Sequence, residues 1–185
     1  MRGARQAGRH DGDVSDVEVR AVTAVDDALR AELLACWTDV NNAGGAVGFV
    51  PPVTAADVAP VLDRLLAGVT SGRDVLALLT VDGETAGFAC LVGSSSPLRR
   101  HWGRVLRVQV HPSRQGQGLG RMLMAGVHDI ACSRGWEFLQ LTARGGTGVD
   151  AFYRRLGYAE HGRLPGAIRV GAGDDRDEII LVRRL

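Results

Sequence analysis

The 185-residue chain contains no lysine; all 22 of its Lys/Arg-class residues are arginine. A Walker A loop requires Lys ahead of Ser or Thr, so that route to a nucleoside triphosphate is closed. Cysteine is scarce as well. Cys36, Cys90 and Cys132 are odd in number, far apart and without C-x-x-C spacing, which suggests neither a disulfide framework nor a zinc site and makes cytoplasmic residence the default expectation. Cys36 and Cys132 fall at or beside apolar helical positions, where a small buried thiol is expected rather than a nucleophile. The histidines (His10, His101, His111, His128 and His161) form no ligand pattern such as H-E-x-x-H, and no bound metal is expected. No apolar run reaches the ~18 residues of a membrane span. Segment 1–16, MRGARQAGRHDGDVSD, lacks the apolar stretch of a signal peptide and reads as a flexible tail ahead of a single domain over 17–185. A net charge of +1 favours neither nucleic acid nor an anionic membrane as the main partner.

What remains is a globular composition, 45% hydrophobic and 23% charged, in a chain long enough for one well-formed core. Apolar periodicity predicts a strand over 17–23, a helix with Leu29, Leu33, Cys36, Trp37 and Val40 on one face, and a second helix buried through Val58, Val61, Leu62, Leu65, Leu66 and Val69. Thr54 or Asp57 caps the second helix; Asp57 is favoured because Pro60 then falls in the first turn. Between the helices, 44–52 reads GGAVGFVPP, a loop whose Val47 and Phe49 must be buried somewhere, either as a plug beneath the helices or as a wall of a substrate pocket. Strands 75–81 and 85–92 flank the hairpin signal Asp82-Gly83-Glu84. Further on come a strand over 136–142, a short helix over 149–156, and strands near 158–161 and 178–182 separated by a loop holding Pro165 and the acidic residues Asp174, Asp175 and Asp177. The order β, α, α, β, β, β, α, β, α, β, β describes an α/β domain of the mixed-sheet kind.

The most informative stretch is 104–134, RVLRVQVHPSRQGQGLGRMLMAGVHDIACSR. A β-rich run ending at Val110 meets Pro112, then a turn with alternating Gly116, Gly118 and Gly120, then a helix carried by Leu119, Leu123, Val127, Ile130 and Ala131. Glycines at a helix N-terminus leave main-chain N–H groups uncovered in a region of positive partial charge, which suits a phosphate or pyrophosphate. A dinucleotide fingerprint is disfavoured, because the spacing is G-x-G-x-G and no acid stands at the end of the next strand.

Gln115, Gly118 and Gly120 behind the strand ending Val108-Gln109-Val110 resemble the Q/R-x-x-G-x-G/A signature of the GNAT N-acetyltransferases. A second segment, Ala151-Phe152-Tyr153-Arg154-Arg155-Leu156-Gly157-Tyr158, resembles that family's A-x-Y-x-x-x-G-F/Y motif, and the element order matches over the whole folded part. Within the superfamily, the GGAVGF loop, the A-F-Y segment and Gly162-Arg163-Leu164-Pro165-Gly166 are similar to the tabtoxin-resistance branch. The resemblance implies a central sheet that splays open, flanked by helices. It also implies acetyl-CoA as cosubstrate, with its diphosphate on the main-chain N–H groups of Gln115, Gly116, Gln117, Gly118, Leu119 and Gly120, and its pantetheine along Val108, Gln109 and Val110. Arg121 is placed to add charge, Phe152 to flank the cofactor, and a β-bulge to splay the strands.

The implied reaction moves an acetyl group directly to the amine of a small molecule. The resemblance places the Tyr153 hydroxyl near the departing sulfur, and a phenol of ordinary pKa near 10 is a proton donor at neutral pH; the alternative is a tyrosine that only packs. The carboxylates that the tabtoxin-resistance branch carries correspond here to Arg104 and Thr142, so the base must be sought elsewhere, in water, Asp177 or Glu178. With Arg104, Arg107 and Arg144 nearby, the acceptor pocket formed with Val47, Phe49 and Thr142 is expected to prefer an acceptor bearing a carboxylate or phosphate, unless those arginines are solvated surface groups. A protein or peptide acetyltransferase and a non-catalytic acyl-CoA sensor are the alternative functions, in a monomer or homodimer. The basic residues Arg99, Arg100 and Arg104 come without a nucleic-acid recognition motif.

Overall fold

The computed structural model describes residues 16–185, so the expected tail lies outside the described residues except for Asp16. Its elements are β1 (Val17–Val22), α1 (Asp27–Asn42), α2 (Ala55–Thr70), β2 (Asp74–Val81), β3 (Glu84–Gly93), β4 (Trp102–Val110), α3 (Leu119–Ser133), β5 (Phe138–Arg144), α4 (Val149–Arg155), β6 (Ala159–Gly171) and β7 (Asp174–Arg184). The strands form one seven-stranded sheet in the order β1-β2-β3-β4-β5-β7-β6. Every neighbouring pair is antiparallel except β4 and β5. This is the mixed sheet flanked by helices that the element order anticipates.

Alternation along the central strands divides the core between the two faces of the sheet. Val75, Ala77, Leu79 and Val81 of β2 pack with Leu119, Leu123, Met124 and Val127 of α3. Leu76 and Leu78 pack with Leu33, Trp37 and Val40 of α1 and Val58 and Leu62 of α2. All eight residues of β2 are buried, and a strand covered on both faces needs the near-continuous apolar run DVLALLTV. No helix of the described residues is long and apolar enough to cross a membrane.

Local chemistry sets the helix starts. Asp26 accepts from the Leu29 N–H at 2.8 Å and caps α1. The second helix starts at Ala55, with Thr54 rather than Asp57 as its cap. The Asp57 carboxylate reaches back instead, accepting from the Thr54 N–H at 2.8 Å and the Thr54 hydroxyl at 2.7 Å, and these bonds hold its pKa below the usual carboxylate range. Pro60 therefore sits inside the helix, where it forgoes one main-chain hydrogen bond.

The C-terminal third departs most from the sequence reading. No long acidic loop separates β6 from β7; the two strands pair as one extended hairpin, with arginines beside the acids on its surface. Arg169 binds Asp175, its register partner, in a bidentate pair at 2.7 and 2.8 Å, Arg176 pairs with Asp174, and Arg163 bridges Glu160 and Asp177. Pro165 and Gly166 are absorbed where the register shifts between Leu164 and Ile168. Trp136 precedes β5 rather than starting it, its N–H bonded to Ala131 O at 3.1 Å in the turn after α3. Cys36 and Cys90 are buried, but Cys132 is exposed, since Ala131 takes the core-facing position at that end of α3.

His128 on α3 is buried beside Tyr158 and Arg183 of β7. Arg183 Nη1 lies 2.9 Å from its Nδ1, and a guanidinium only donates, so Nδ1 is the acceptor and Nε2–H donates to the Tyr158 hydroxyl at 3.2 Å. Burial, and then the Arg183 charge, push its pKa down to about 4. Between that value and the ordinary 6.5 the unfolded chain binds the extra proton, so stability from neutral His128 is present above pH 6.5 and lost as pH falls toward 4. Denaturation across this window is expected to show wild type losing stability relative to His128→Gln as pH drops; parallel curves would contradict the assignment. Leu123→Ala, a truncation at a fully buried site, is expected to cost about 3 kcal/mol and lower the thermal midpoint by roughly 6–12 °C. A midpoint within a degree of wild type would show that α3 does not anchor the core.

Candidate active site

The site begins with a local irregularity in β4. Phe88 pairs with Gln109 and Cys90 with Leu106, so β4 carries one more residue than β3 across this interval, and Arg107 there adopts a left-handed conformation, φ 56°. This is the β-bulge the resemblance implies. On its other side β4 pairs with β5 at Trp102, Gly103 and Arg104 only. Beyond Arg104 the two strands part, and β4 from Val105 to Val110 has no strand partner on that side. The wedge between them opens toward the glycine turn in one direction and toward the loop 45–50 in the other.

The turn is held by Gln115, whose side-chain amide donates to Val110 O at 2.9 Å. Gly116 and Gly118 have φ 77° and 80°, a conformation in which L side chains are strained. The Gln115 N–H donates to Pro112 O at 3.3 Å, and the next main-chain donor with a protein acceptor is Arg121, to Gly118 O at 2.9 Å. The N–H groups of Gly116, Gln117, Gly118, Leu119 and Gly120 are thus free among the described residues, at the positive end of the 15-residue helix α3. Atoms added as Cβ at Gly116 or Gly118 would meet nothing within 4 Å, so the space over these donors is open. A diphosphate fits that cradle.

A groove of ≈ 240 Å³ runs from the turn along Val108, Gln109 and Val110. Phe152 lines it, its ring 3.7 Å from where a Cβ of Gly120 would stand. Gln117 and Arg121 are exposed and do not line the groove; Arg114 does, with its guanidinium 3.2 Å from Glu84. The signal for Arg114 was available, a second basic residue directly before Gln115.

On the far side of the parted strands lies a cavity of ≈ 500 Å³. Val47, Phe49, Thr142, Arg144 and Glu178 all line it, together with Arg107 and the side of β4. Arg104 does not: it is exposed at the last β4–β5 pair. Strand alternation separates the two candidate bases. Glu178 lines the cavity with no hydrogen-bonded partner among the described residues, whereas Asp177 accepts from Arg163 Nη1 at 3.0 Å and from the Gly166 N–H at 3.2 Å, which hold its pKa low. Ile168 and Arg169 also line the cavity; they come from the part of β6 that the sequence reading treated as loop, and carry no local signal of their own.

The two alternatives for the loop turn out to be compatible. Val47 is buried with α1 and α2 and its carbonyl accepts from Trp37 Nε1 at 2.9 Å, so it plugs. Phe49 packs edge-on against Trp37 at 5.9 Å while its N–H donates to Asn41 Oδ1 at 3.2 Å. Both residues also form wall.

Tyr153 lines both the groove and the cavity. It is 6% exposed and packs edge-on against Phe152 at 5.2 Å and Tyr158 at 5.8 Å. Burial raises its pKa well above that of a free phenol, so the hydroxyl stays protonated. No described residue bonds that hydroxyl.

Residues 73–160 match the family model described as acetyltransferase (GNAT) domain. The fold is similar to that of an acetyltransferase of the GNAT family from Streptococcus pneumoniae, at 18% identity and TM-score 0.73 over 92% of this chain and 100% of that one. It is also similar to the ribosomal-protein-alanine N-acetyltransferase from Brucella melitensis, at 20% identity and TM-score 0.72 over 91% and 99%. A third likeness is to yncA from Salmonella typhimurium with its cofactor acetyl-CoA, at 20% identity and TM-score 0.71 over 91% and 94%. At these identities the likeness is one of fold, and it does not distinguish the tabtoxin-resistance branch from others. The segment matched by the family model contains the bulged strand, the glycine turn, α3, the splayed β5 and the helix of Tyr153. Residues 73–160 therefore carry the acetyltransferase (GNAT) domain that the family model describes.

Proposed function

We propose that the protein transfers the acetyl group of acetyl-CoA directly to the amine of a small molecule. The observation that carries this reading is the meeting of two clefts at one wall: groove and cavity share Val108, Gln109, Val110, Gln115, Val149 and Tyr153. A donor in the groove and an acceptor in the cavity meet where the two clefts join, without covalent help from the protein.

Acetyl-CoA supplies a reactive thioester. The N–H groups of Gly116, Gln117, Gly118, Leu119 and Gly120 hold the diphosphate, and the free edge of β4 at Val108, Gln109 and Val110 offers main-chain bonds to the pantetheine arm. Tyr153, kept protonated by burial, donates its proton to the departing sulfur. Glu178, on the cavity side, takes the proton released by the amine, directly or through water; Asp177, tied to Arg163, is the weaker candidate. A cavity of ≈ 500 Å³ is of the size that small ligands occupy, and the loop 45–50, tied to Trp37 and Asn41, forms one of its walls.

Tyr153→Phe is expected to lower kcat for thiol release by roughly 100-fold or more, the usual worth of a positioned proton donor, while acetyl-CoA affinity measured by calorimetry stays at the wild-type value. Unchanged kcat would remove Tyr153 from the chemistry, and absence of thiol release from any amine despite cofactor binding would favour the sensor. Gly118→Ala is expected to weaken acetyl-CoA binding in the same calorimetric titration, since the left-handed turn is strained with a side chain. Undiminished affinity would place the diphosphate elsewhere.

A further inference from the structure

Three arginines line the acceptor cavity, and they are not equivalent. Arg169 is held bidentately by Asp175, and Arg144 Nη2 donates to Phe49 O at 3.5 Å. Arg107 has no hydrogen-bond acceptor among the described residues, and its Nε is buried without a partner. Its guanidinium carbon lies over the Trp37 ring, 5.3 Å from the centroid, and the group is pressed against Gly48, where a Cβ would fall 2.3 Å from Nη1. Its titratable neighbour Cys90 is no counter-ion, because burial pushes that thiol up to about 12 and keeps it neutral.

Three separate costs meet in this one residue. A long side chain occupies a left-handed backbone position, φ 56°. A permanent charge is partly withdrawn from water, which lowers its pKa. A buried donor goes unsatisfied. Two residues along the same strand Gln109 is 4% exposed, and both polar atoms of its side chain are buried and unbonded. Orphaned polar groups clustered on one wall of one cavity indicate a missing partner rather than a packing solution. The loop supports the same view: Gly48 gives the guanidinium room, and Trp37 lies beneath it while anchoring Val47.

We propose that Arg107, supported by Gln109, is the seat of an oxyanion on the acceptor, so that the substrate is an amine bearing a carboxylate or phosphonate, an amino-acid-like zwitterion. This deepens the acetyl-transfer reading and rests on it. A guanidinium presents a planar fork of donors that matches either anion, and here the Trp37 ring lies behind it. Glu178 lines the same cavity and complements the ammonium end, which leaves the two ends of the zwitterion with opposite partners.

The test uses the full chain with acetyl-CoA, a thiol-release readout and matched acceptors: the twenty common L-amino acids, their carboxamides, and ω-aminoalkylphosphonates. At least one oxyanionic amine is expected to show kcat/KM roughly 10- to 100-fold above its uncharged counterpart, the worth of one or two charge-assisted hydrogen bonds. The carboxylate and phosphonate arms identify which anion is used. Arg107→Gln should raise KM for that acceptor by a similar factor and erase the preference, with kcat less affected and acetyl-CoA affinity unchanged; Arg107→Lys, which keeps the charge without the fork, should recover part of it. Equal use of carboxamides, turnover confined to polyamines or aminoglycosides, a preference that survives Arg107→Gln, or no thiol release from any oxyanionic amine while acetyl-CoA binds normally would each overturn the proposal. Loss of acetyl-CoA binding by the wild-type chain would instead remove the acetyl-transfer reading beneath it.

Discussion

Main-chain hydrogen bonding between β4 and β5 stops after Arg104 and Gln140, and the functional architecture follows from that interruption. A sheet interior normally satisfies both edges of each strand, so six residues of β4 without a partner on one side are a demand for something else to bond there. The interruption is built rather than accidental. The extra residue at Arg107 twists β4 away, β5 stays committed to β7 through Arg144 and Glu178, and the parallel pair has no register left to close. What opens is a slot running through the sheet from the glycine turn to the cavity beneath the loop 45–50.

Each end of the slot is finished by different chemistry. At the turn, the donors are main-chain amides at a helix start, which hold an anion without a side chain having to be ordered. At the cavity end, side chains dominate: one carboxylate, three arginines of which two are already engaged, and an amide whose polar atoms are unbonded. Tyr153 stands between them as the buried hydroxyl common to both. Neutrality suits that place, since a charge there would have to be desolvated whichever side was occupied.

Much of this frame was legible in the letters, for physical reasons. The apolar runs of β2 and β3 on either side of Asp82-Gly83-Glu84 and the helical spacing of Leu119, Leu123 and Val127 are direct imprints of a two-faced core, so element type and order followed. The glycine turn was legible because few other sequences leave consecutive amides bare. Side chains at the acceptor end were not, since their roles are set by partners distant in sequence. Nothing local separates Asp177 from Glu178 until Arg163 is seen to take one of them, and nothing marks Arg144 and Arg169 as engaged and Arg107 as free until Phe49 and Asp175 arrive in space. The cap of α2 is hidden for a similar reason: Thr54 and Asp57 act as a pair, so neither alone marks the helix start, and Pro60 lies inside the helix instead of in its first turn. The long β6–β7 hairpin was hidden by its acids, which look like a solvated loop until cross-strand arginines are placed opposite them.

The central claim is that the parted strands and the bare amides receive one ligand together. A crystal structure of the chain with acetyl-CoA tests this most directly. The account predicts diphosphate oxygens about 2.7–3.2 Å from the N–H groups of residues 116–120, the pantetheine lying between β4 and β5 with bonds to the strand at Val108 to Val110, and the sulfur within reach of Tyr153. A diphosphate bound elsewhere, or a pantetheine that leaves the β4 edge unbonded, would contradict it.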